Sequence, residues 1–191
     1  MSVVMTTQAE GLRRIADQSV GAVLWQRDWA QARVDEVAQI PANDLPSGRW
    51  LVPSKQPSQA LTGVSLSSWL EADVAELVAT FAELMQVDQV RLRFDAINTN
   101  ACRRFHIDAV KARLLCTYRG HGTEFGTVDA NDEAPKVVQT AAIGSPLILR
   151  GTRWPDGGSH NAVRHRSPPI EGTGETRLLL VLDTPMPDTT S

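Results

Sequence analysis

The spacing of the apolar residues changes at Asp88, and this change constrains the fold more than any other feature of the 191-residue sequence. Over residues 68–87 the apolar side chains recur at helical intervals, with Ser68 as the predicted cap and Glu71 as its capping-box partner. Residues 90–95 instead alternate between apolar and charged side chains, as in a strand with one buried face. The sequence therefore predicts a helix followed directly by a β-rich portion.

Six further segments after Asp88 have the composition and length of short strands. They are residues 104–110, 112–119, 136–141, 146–150, 162–166 and 176–183. No helical pattern lies between them. About seven strands in succession, joined only by loops, favour an antiparallel sandwich or jelly roll.

The N-terminal part has a different pattern. Residues 8–40 are predicted to be mainly helical, with an interruption near 19–21, and the proline- and glycine-rich residues 41–63 are predicted to form an irregular connector. We expect one domain over residues 1–191 of the α+β class, with N-terminal helices packed on a double-stranded β-helix barrel of the jelly-roll or cupin type. Residues 1–87 would form the mainly helical portion, 88–185 the β-rich portion and 186–191 a disordered tail.

Charge and cysteine content exclude several classes of protein. The net charge is −3 and the basic residues are scattered, which argues against general nucleic-acid binding. No apolar run is long enough to span a membrane, and the first residues do not resemble a signal peptide. The two cysteines form neither a disulfide framework nor a C-x-x-C motif. We expect a cytoplasmic protein that acts on a small-molecule or peptide substrate.

His106 and Asp108 are the first candidate site residues. On a strand, residues separated by one position share a face, so the imidazole and the carboxylate would lie side by side. They would supply two of the three protein ligands in the facial triad that holds non-haem Fe(II). The third ligand should then be a histidine that is distant in sequence.

Three other histidines could complete the triad. His165 lies in a strand-like segment, which holds a ligand more rigidly than the glycine-rich loop around His160, so we predict His165 and keep His160 as its substitute. His121 is expected in a turn. Cys102 or Cys116 could also approach the metal, and a thiolate would favour Zn over Fe.

Several blocks of the sequence resemble an uncharacterised bacterial family, domain of unknown function 1826. The blocks are Cys102–Asp108, 113–120, 165–169 and 177–183, and together with their surroundings they extend the resemblance over most of the chain. The first and last are the most diagnostic. This resemblance identifies relatives but implies no activity.

A more distant resemblance is to the Fe(II)/2-oxoglutarate oxygenases of the double-stranded β-helix fold. These have a His-x-Asp motif on an early strand, a histidine on a late strand and an arginine on the final strand, an order that His106, Asp108, His165 and Arg177 reproduce. The resemblance implies that Arg177 binds the distal carboxylate of 2-oxoglutarate, for which a guanidinium is well suited.

Two departures from that pattern leave the cosubstrate contact open. Arg177 follows His165 by twelve positions, and Leu179 stands where a hydroxyl residue is common. Arg113 or Tyr118 could bind the carboxylate instead. We also expect residues 151–159, which include Trp154, to form a lid.

The resemblance implies a mononuclear metal-dependent oxygenase that uses Fe(II) and 2-oxoglutarate. The alternative is a non-catalytic, cupin-like metal-binding protein involved in the handling of zinc or another metal. It would keep the same triad and need no acid-binding arginine.

Overall fold

The computed structural model describes residues 1–61, 63–129, 132–155 and 162–185. The strands are β1 (Ser2–Thr6), β2 (Val20–Trp25), β3 (Gly48–Pro53), β4 (Gln89–Ile97), β5 (Ala112–Arg119), β6 (Glu124–Thr127), β7 (Gln139–Thr140), β8 (Leu147–Arg150), β9 (Val163–Arg166) and β10 (Arg177–Asp183). The helices are α1 (Gln31–Gln39), α2 (Pro57–Ala60) and α3 (Ser68–Met85), with short 3₁₀ helices at Ala9–Ala16 and Ala42–Asp44. Within these ranges, no helix is long and apolar enough to cross a membrane.

The strands form two sheets. The larger has seven strands in the order β1-β2-β8-β5-β10-β4-β3, and the smaller has three in the order β7-β6-β9. All neighbouring strands are antiparallel except β1 and β2. The chain is therefore a mixed helix and sheet protein, as predicted, but its described strands do not close into a barrel.

The two faces of the seven-stranded sheet are covered by different elements. Successive residues of a strand point to opposite faces, so β5 and β10 contribute to both. One set, which includes Leu114, Leu180 and Leu182, packs with the buried stripe of α3. The other set, which includes Leu115 and Val181, packs with residues of the three-stranded sheet. We call these the helix side and the site side of the sheet.

Helix α3 confirms the predicted amphipathic stripe. Leu70, Val74, Leu77, Val78, Phe81 and Met85 are buried against the sheet, whereas Leu84 is only half-buried. The predicted capping box is wrong, because the N-cap is Ser67 and no side chain caps the helix. The helix ends at Gln86, which has a left-handed backbone, a common way to terminate a helix.

The prediction that residues 1–87 are mainly helical is wrong for three segments, which are strands β1, β2 and β3. Strand β2 is almost wholly apolar because it is buried on both faces between β1 and β8, so it lacks the alternation typical of a half-exposed strand. Strand β3 lies at the sheet edge, where Pro53 at its end is tolerated, within residues 41–63 that the sequence predicts to be an irregular connector.

The β-rich portion corresponds to the prediction at β4, β5, β8, β9 and β10. Strand β6 was missed, and the segment 136–141 contains only the two-residue β7. The segment 104–110 is not a strand. Its backbone is held instead by hydrogen bonds to the segment after β8, such as Thr152 N–H to Asp108 O at 2.9 Å. The proposed tail at 186–191 lies outside the described residues.

Candidate metal centre

His106, Asp108 and His165 converge at the site side of the sheet. Each offers one ligand atom, and these atoms all lie within 4.8 Å of one another. His106 and His165 are joined by an isolated antiparallel bridge in which each backbone N–H donates to the other's carbonyl, at 3.0 and 3.1 Å. This bridge fixes two residues 59 positions apart, and Asp108 follows on the same loop.

The ring of His106 is oriented by its own loop. Its Nδ1 lies 2.8 Å from the carbonyl oxygen of Arg104. Because a carbonyl can only accept, Nδ1 carries the hydrogen, and the lone pair is on Nε2, which faces Asp108 at 3.6 Å. Such an orienting hydrogen bond is the usual partner of a metal-binding imidazole.

Within the described structure, one carboxylate oxygen of Asp108 accepts a hydrogen bond and the other does not. Its Oδ1 accepts a hydrogen bond from Arg113 at 2.5 Å. Its Oδ2 is buried and lies 3.1 Å from His165 Nε2, yet within the described structure it has no hydrogen-bond partner, because that contact lacks hydrogen-bond geometry. A buried acceptor without a donor is costly unless another group satisfies it.

The pKa shifts of Asp108 and His165 favour the forms that bind a metal, whereas that of His106 favours its protonated form. Burial alone would raise the pKa of Asp108, but the imidazoles of His106 and His165 and the guanidinium of Arg113 outweigh it and hold the pKa well below its ordinary value. Burial lowers the pKa of His165, and contact with Asp108 raises that of His106. An ionised carboxylate beside a neutral imidazole is the form in which these groups bind metals.

Arg113 holds Asp108 in place from strand β5. It donates through Nε and NH2 to the two oxygens of Asp183 at the end of β10, both at 2.7 Å, and through NH1 to Asp108. The sequence indicated Arg113 as a possible cosubstrate contact, but its donors in the structure are directed at two carboxylates. The sequence did not predict the role of Asp183. It is the acidic last residue of an apolar strand, and nothing in the sequence indicates that it pairs with Arg113.

The donor set fits a divalent metal. Two imidazoles and one carboxylate form the facial set that non-haem Fe(II) and Zn both accept, and bonds of about 2.0–2.2 Å require the ligand atoms to lie within roughly 4 Å of each other. The convergence of the three residues meets this requirement with little movement. The unpartnered Asp108 Oδ2 is the atom that a cation would satisfy. Their assignment as ligands stays a prediction.

Arg177 is a fully buried cation near this centre. Its side chain is 0 % exposed and donates to the carbonyl of His121 at 2.6 Å, to Ser167 Oγ at 3.0 Å and to Thr117 Oγ1 at 3.4 Å. No carboxylate among the described residues forms an ion pair with it. Burial lowers the pKa of Arg177 to about 10, so it is still charged at neutral pH.

A cavity of about 390 Å³ opens onto the triad. His106, His165 and Arg113 lie in its wall, together with apolar Leu115 and Leu179. Ser167, which accepts a hydrogen bond from Arg177, is also part of the wall. Arg177 therefore lies one hydrogen bond behind the cavity surface.

Two predicted contacts are corrected by the alternation along β5. Tyr118 and Cys116 point to the helix side, where the Tyr118 hydroxyl donates to Asp73 at 2.6 Å, so neither can reach the triad. Cys102 lines the cavity but does not belong to the cluster of converging ligand atoms. His121 lies in a bend after β5, whereas His160 and residues 156–159 of the proposed lid lie outside the described residues.

The chain belongs to the family described as protein of unknown function DUF1826, whose model matches residues 6–183. This confirms the first resemblance in the sequence. Among curated proteins, none matches the chain.

Solved structures with the same fold include 2-oxoglutarate-dependent oxygenases. Dioxygenase for auxin oxidation 1 from Arabidopsis thaliana, in a binary complex with 2-oxoglutarate, has a TM-score of 0.56 at 12 % identity, covering 100 % of this chain and 94 % of that one. The rice dioxygenase for auxin oxidation gives 0.54 at 14 % identity, covering 98 % and 84 %. A prolyl-4-hydroxylase from Pseudomonas putida gives 0.51 at 14 % identity, covering 94 % and 100 %. At these identities the likeness concerns the fold.

Proposed function

We propose that this protein is a mononuclear Fe(II)- and 2-oxoglutarate-dependent oxygenase. The observation that supports the proposal most directly is that two charged groups in one region, one anionic and one cationic, are not fully satisfied by the protein. Among the residues that the structure describes, the buried Oδ2 of Asp108 has no hydrogen-bond partner, and the buried guanidinium of Arg177 has no carboxylate partner. The first is suited to a cation and the second to an organic acid, and 2-oxoglutarate is bound in the structure of dioxygenase for auxin oxidation 1, which shares this fold.

His106, Asp108 and His165 would hold the metal. When bound, Fe(II) and 2-oxoglutarate supply the oxidising power, through reduction of O2 coupled to decarboxylation of the 2-oxo acid. The chain's own contribution is positional. Arg104 O fixes the His106 ring, Arg113 fixes the Asp108 carboxylate, and the apolar wall at Leu115 and Leu179 limits the access of water.

Arg177 would bind the distal carboxylate of 2-oxoglutarate. Because its NH1 donates to Ser167 in the cavity wall, a carboxylate could replace the hydroxyl of Ser167 as the acceptor and form a bidentate contact. The charge of Arg177 would then be balanced within the protein interior, where an unpaired ion is costly.

Anaerobic titration of the metal-free protein tests the proposal. Purified protein is titrated with Fe(II) and then with 2-oxoglutarate, and binding is followed by calorimetry and by the visible charge-transfer band of the complex. Arg177→Met should weaken 2-oxoglutarate binding by about tenfold or more and leave Fe(II) binding intact, since a charge-assisted contact is lost. Because three acceptors lose their donor in this variant, circular dichroism and urea unfolding are used to confirm that its fold is retained.

Two results would reject the oxygenase function. The first is tight Zn binding by the triad without any binding of 2-oxoglutarate, which would favour the metal-handling alternative. The second is 2-oxoglutarate binding that Arg177→Met does not change. Formation of succinate from 2-oxoglutarate by the Fe(II)-loaded protein would support the proposal independently.

A further inference from the structure

Two arginine side chains, Arg49 and Arg93, line the site side of the sheet beside the triad, and among the described residues only Arg93 has a carboxylate partner. Arg49 on β3 and Arg93 on β4 are directly opposite each other in the antiparallel pair. Side chains in such a pair share one face with Cβ atoms about 5 Å apart, and like charges in that position destabilise the sheet. The fold thus places two like charges on opposite strands in the wall of the cavity.

One neighbouring carboxylate, that of Asp95 in the same cavity wall, balances this charge only in part. Arg49 forms no ion pair with any residue that the structure describes. Arg93 approaches only Asp95 on its own strand, with Nε to Oδ2 at 2.9 Å, and the geometry leaves Nε buried and without a hydrogen bond. The remaining N–H groups of Arg49 and Arg93 are therefore available to bind an anion in the cavity.

The same two residues connect the triad to the outside. Arg49 and Arg93 lie in the wall of the 390 Å³ cavity that contains His106 and His165. They also lie in the wall of an adjoining cavity of about 640 Å³, which includes Trp50 and Leu51. Arg49 and Arg93 therefore lie where the two cavities share a wall.

We infer that the substrate of the proposed oxygenase is a small organic anion, whose carboxylate or phosphate is held by Arg49 and Arg93 while its apolar body lies over Leu115 and Leu179. This inference rests on the proposed function and names its substrate class. Two guanidiniums can each donate in parallel to one oxyanion, which also removes their mutual repulsion. The apolar wall beyond them suits a hydrocarbon group and places it next to the metal ligands.

The test is direct binding of matched acidic and neutral probes to the full chain. Calorimetry measures 3-phenylpropionate, phenethyl phosphate and the neutral 3-phenylpropanamide. Each probe is titrated into metal-free protein and into protein holding Mn(II) and saturating 2-oxoglutarate. The acids should bind at least about tenfold more tightly than the amide, and added salt should reduce the difference. Whichever of the two acidic probes has the lower Kd shows whether Arg49 and Arg93 prefer a carboxylate or a phosphate.

Variants then assign the binding to the two arginines. Arg49→Gln and Arg93→Gln should each raise the Kd of the acid about tenfold without changing the Kd of the amide, and Arg49→Lys should retain part of the affinity. Arg91→Gln is the matched control, because Arg91 is on the same face of β4 but lines only the outer cavity. In the absence of ligand, Arg49→Gln should unfold at the same or a higher temperature, because it removes the like-charge pair.

Three results would overturn the inference. They are equal binding of acid and amide, an equal loss in Arg91→Gln and Arg49→Gln, and competition between 2-oxoglutarate and the acidic probe. The last would make the pair part of the cosubstrate site. Failure of metal or 2-oxoglutarate binding would instead reject the proposed function, and titration of the metal-free protein would still report on Arg49 and Arg93.

Discussion

The two faces of the large sheet each contain a buried arginine–carboxylate group, and the groups differ in how completely they are satisfied. On the helix side, Asp73 of α3 accepts from Arg27 at 2.5 and 3.1 Å and from Tyr118 at 2.6 Å, so both of its oxygens are occupied. On the site side, Asp108 accepts from Arg113 through one oxygen only. The helix-side group is closed and links α3 to the sheet, whereas the site-side group leaves an acceptor beside two imidazoles.

This difference separates a stabilising network from a candidate binding site. Both groups contain a buried ion pair, so burial and charge alone do not distinguish them. What distinguishes the site is the acceptor that the protein's own donors leave unused. The comparison predicts opposite consequences when the two aspartates are replaced.

Asp108→Ala should have the largest effect, on metal binding. The triad loses its only anionic ligand, so affinity for Fe(II) or Zn should fall by more than about 100-fold, since losing a residue that merely orients a ligand already costs about 10- to 100-fold. Stability should change less, because Arg113 keeps its bidentate contact with Asp183. Metal titration and urea unfolding measure the two quantities. Unchanged metal affinity would remove the distinction between the two groups.

Asp73→Ala should show the reverse profile. It leaves the charge of Arg27 buried and unpaired, which costs about 3–5 kcal/mol of unfolding free energy, while metal affinity is retained. Glu76→Ala is the matched control, because Glu76 is exposed on the same helix and should change stability little. If both substitutions have the same small effect on urea unfolding, the helix-side group does not stabilise the fold as described.

Gly151→Ala should disturb the site by a smaller, steric effect. A Cβ at Gly151 would lie 2.0 Å from the carbonyl oxygen of Val110 and 2.7 Å from that of Asp108. The loop that carries Asp108 would have to move, at a cost of about 1–3 kcal/mol. Metal titration should show weaker binding than in the wild-type protein. Retention of full affinity would mean that the position of this loop is not set by contact with Gly151.

The smallest effect concerns the two thiols, one on each side of the sheet. Cys102 is exposed, whereas Cys116 is buried next to Arg27, and burial raises the pKa of Cys116 to about 12. At pH 8 a thiol reagent should therefore modify one cysteine in the native protein and two after unfolding. Cys102→Ser should abolish the native reaction, and Asp73→Ala should accelerate the reaction of Cys116. Rapid modification of Cys116 in the native wild type would show that the helix-side group is accessible to solvent, contrary to the structure.

Local patterns in the sequence predicted the elements that have one buried and one exposed face. Helix α3 and strand β4 both show such a pattern, and both are found where expected. Strand β2 was missed because burial on both faces removes the alternation. His106 and Asp108 were expected to share a strand face, yet they converge through a loop that is held by a bridge to His165 and by backbone contacts beyond β8.

The candidate site was predicted better by the chemistry of its side chains than by the secondary structure expected around them. The three converging residues were chosen for the ligand set they could form and for the order that matches the oxygenase pattern. Arg113 and Asp183 could not be paired from the sequence, because their contact depends on the register between β5 and β10. The carboxylate contact suggested for Tyr118 is wrong because alternate residues of β5 point to opposite faces, and Tyr118 shares the helix side with Cys116.

The position of β10 between β5 and β4 affects how the site can form during synthesis. This strand follows all the other described strands in the chain, yet it occupies an inner place in the sheet and carries both Arg177 and Asp183. Before it emerges from the ribosome, Arg113 lacks one of its two carboxylates. Asp108 is then positioned less firmly, although it and both histidines have already been synthesised. The contact between Arg113 and Asp183, which positions Asp108, therefore forms only once β10 has inserted between β5 and β4.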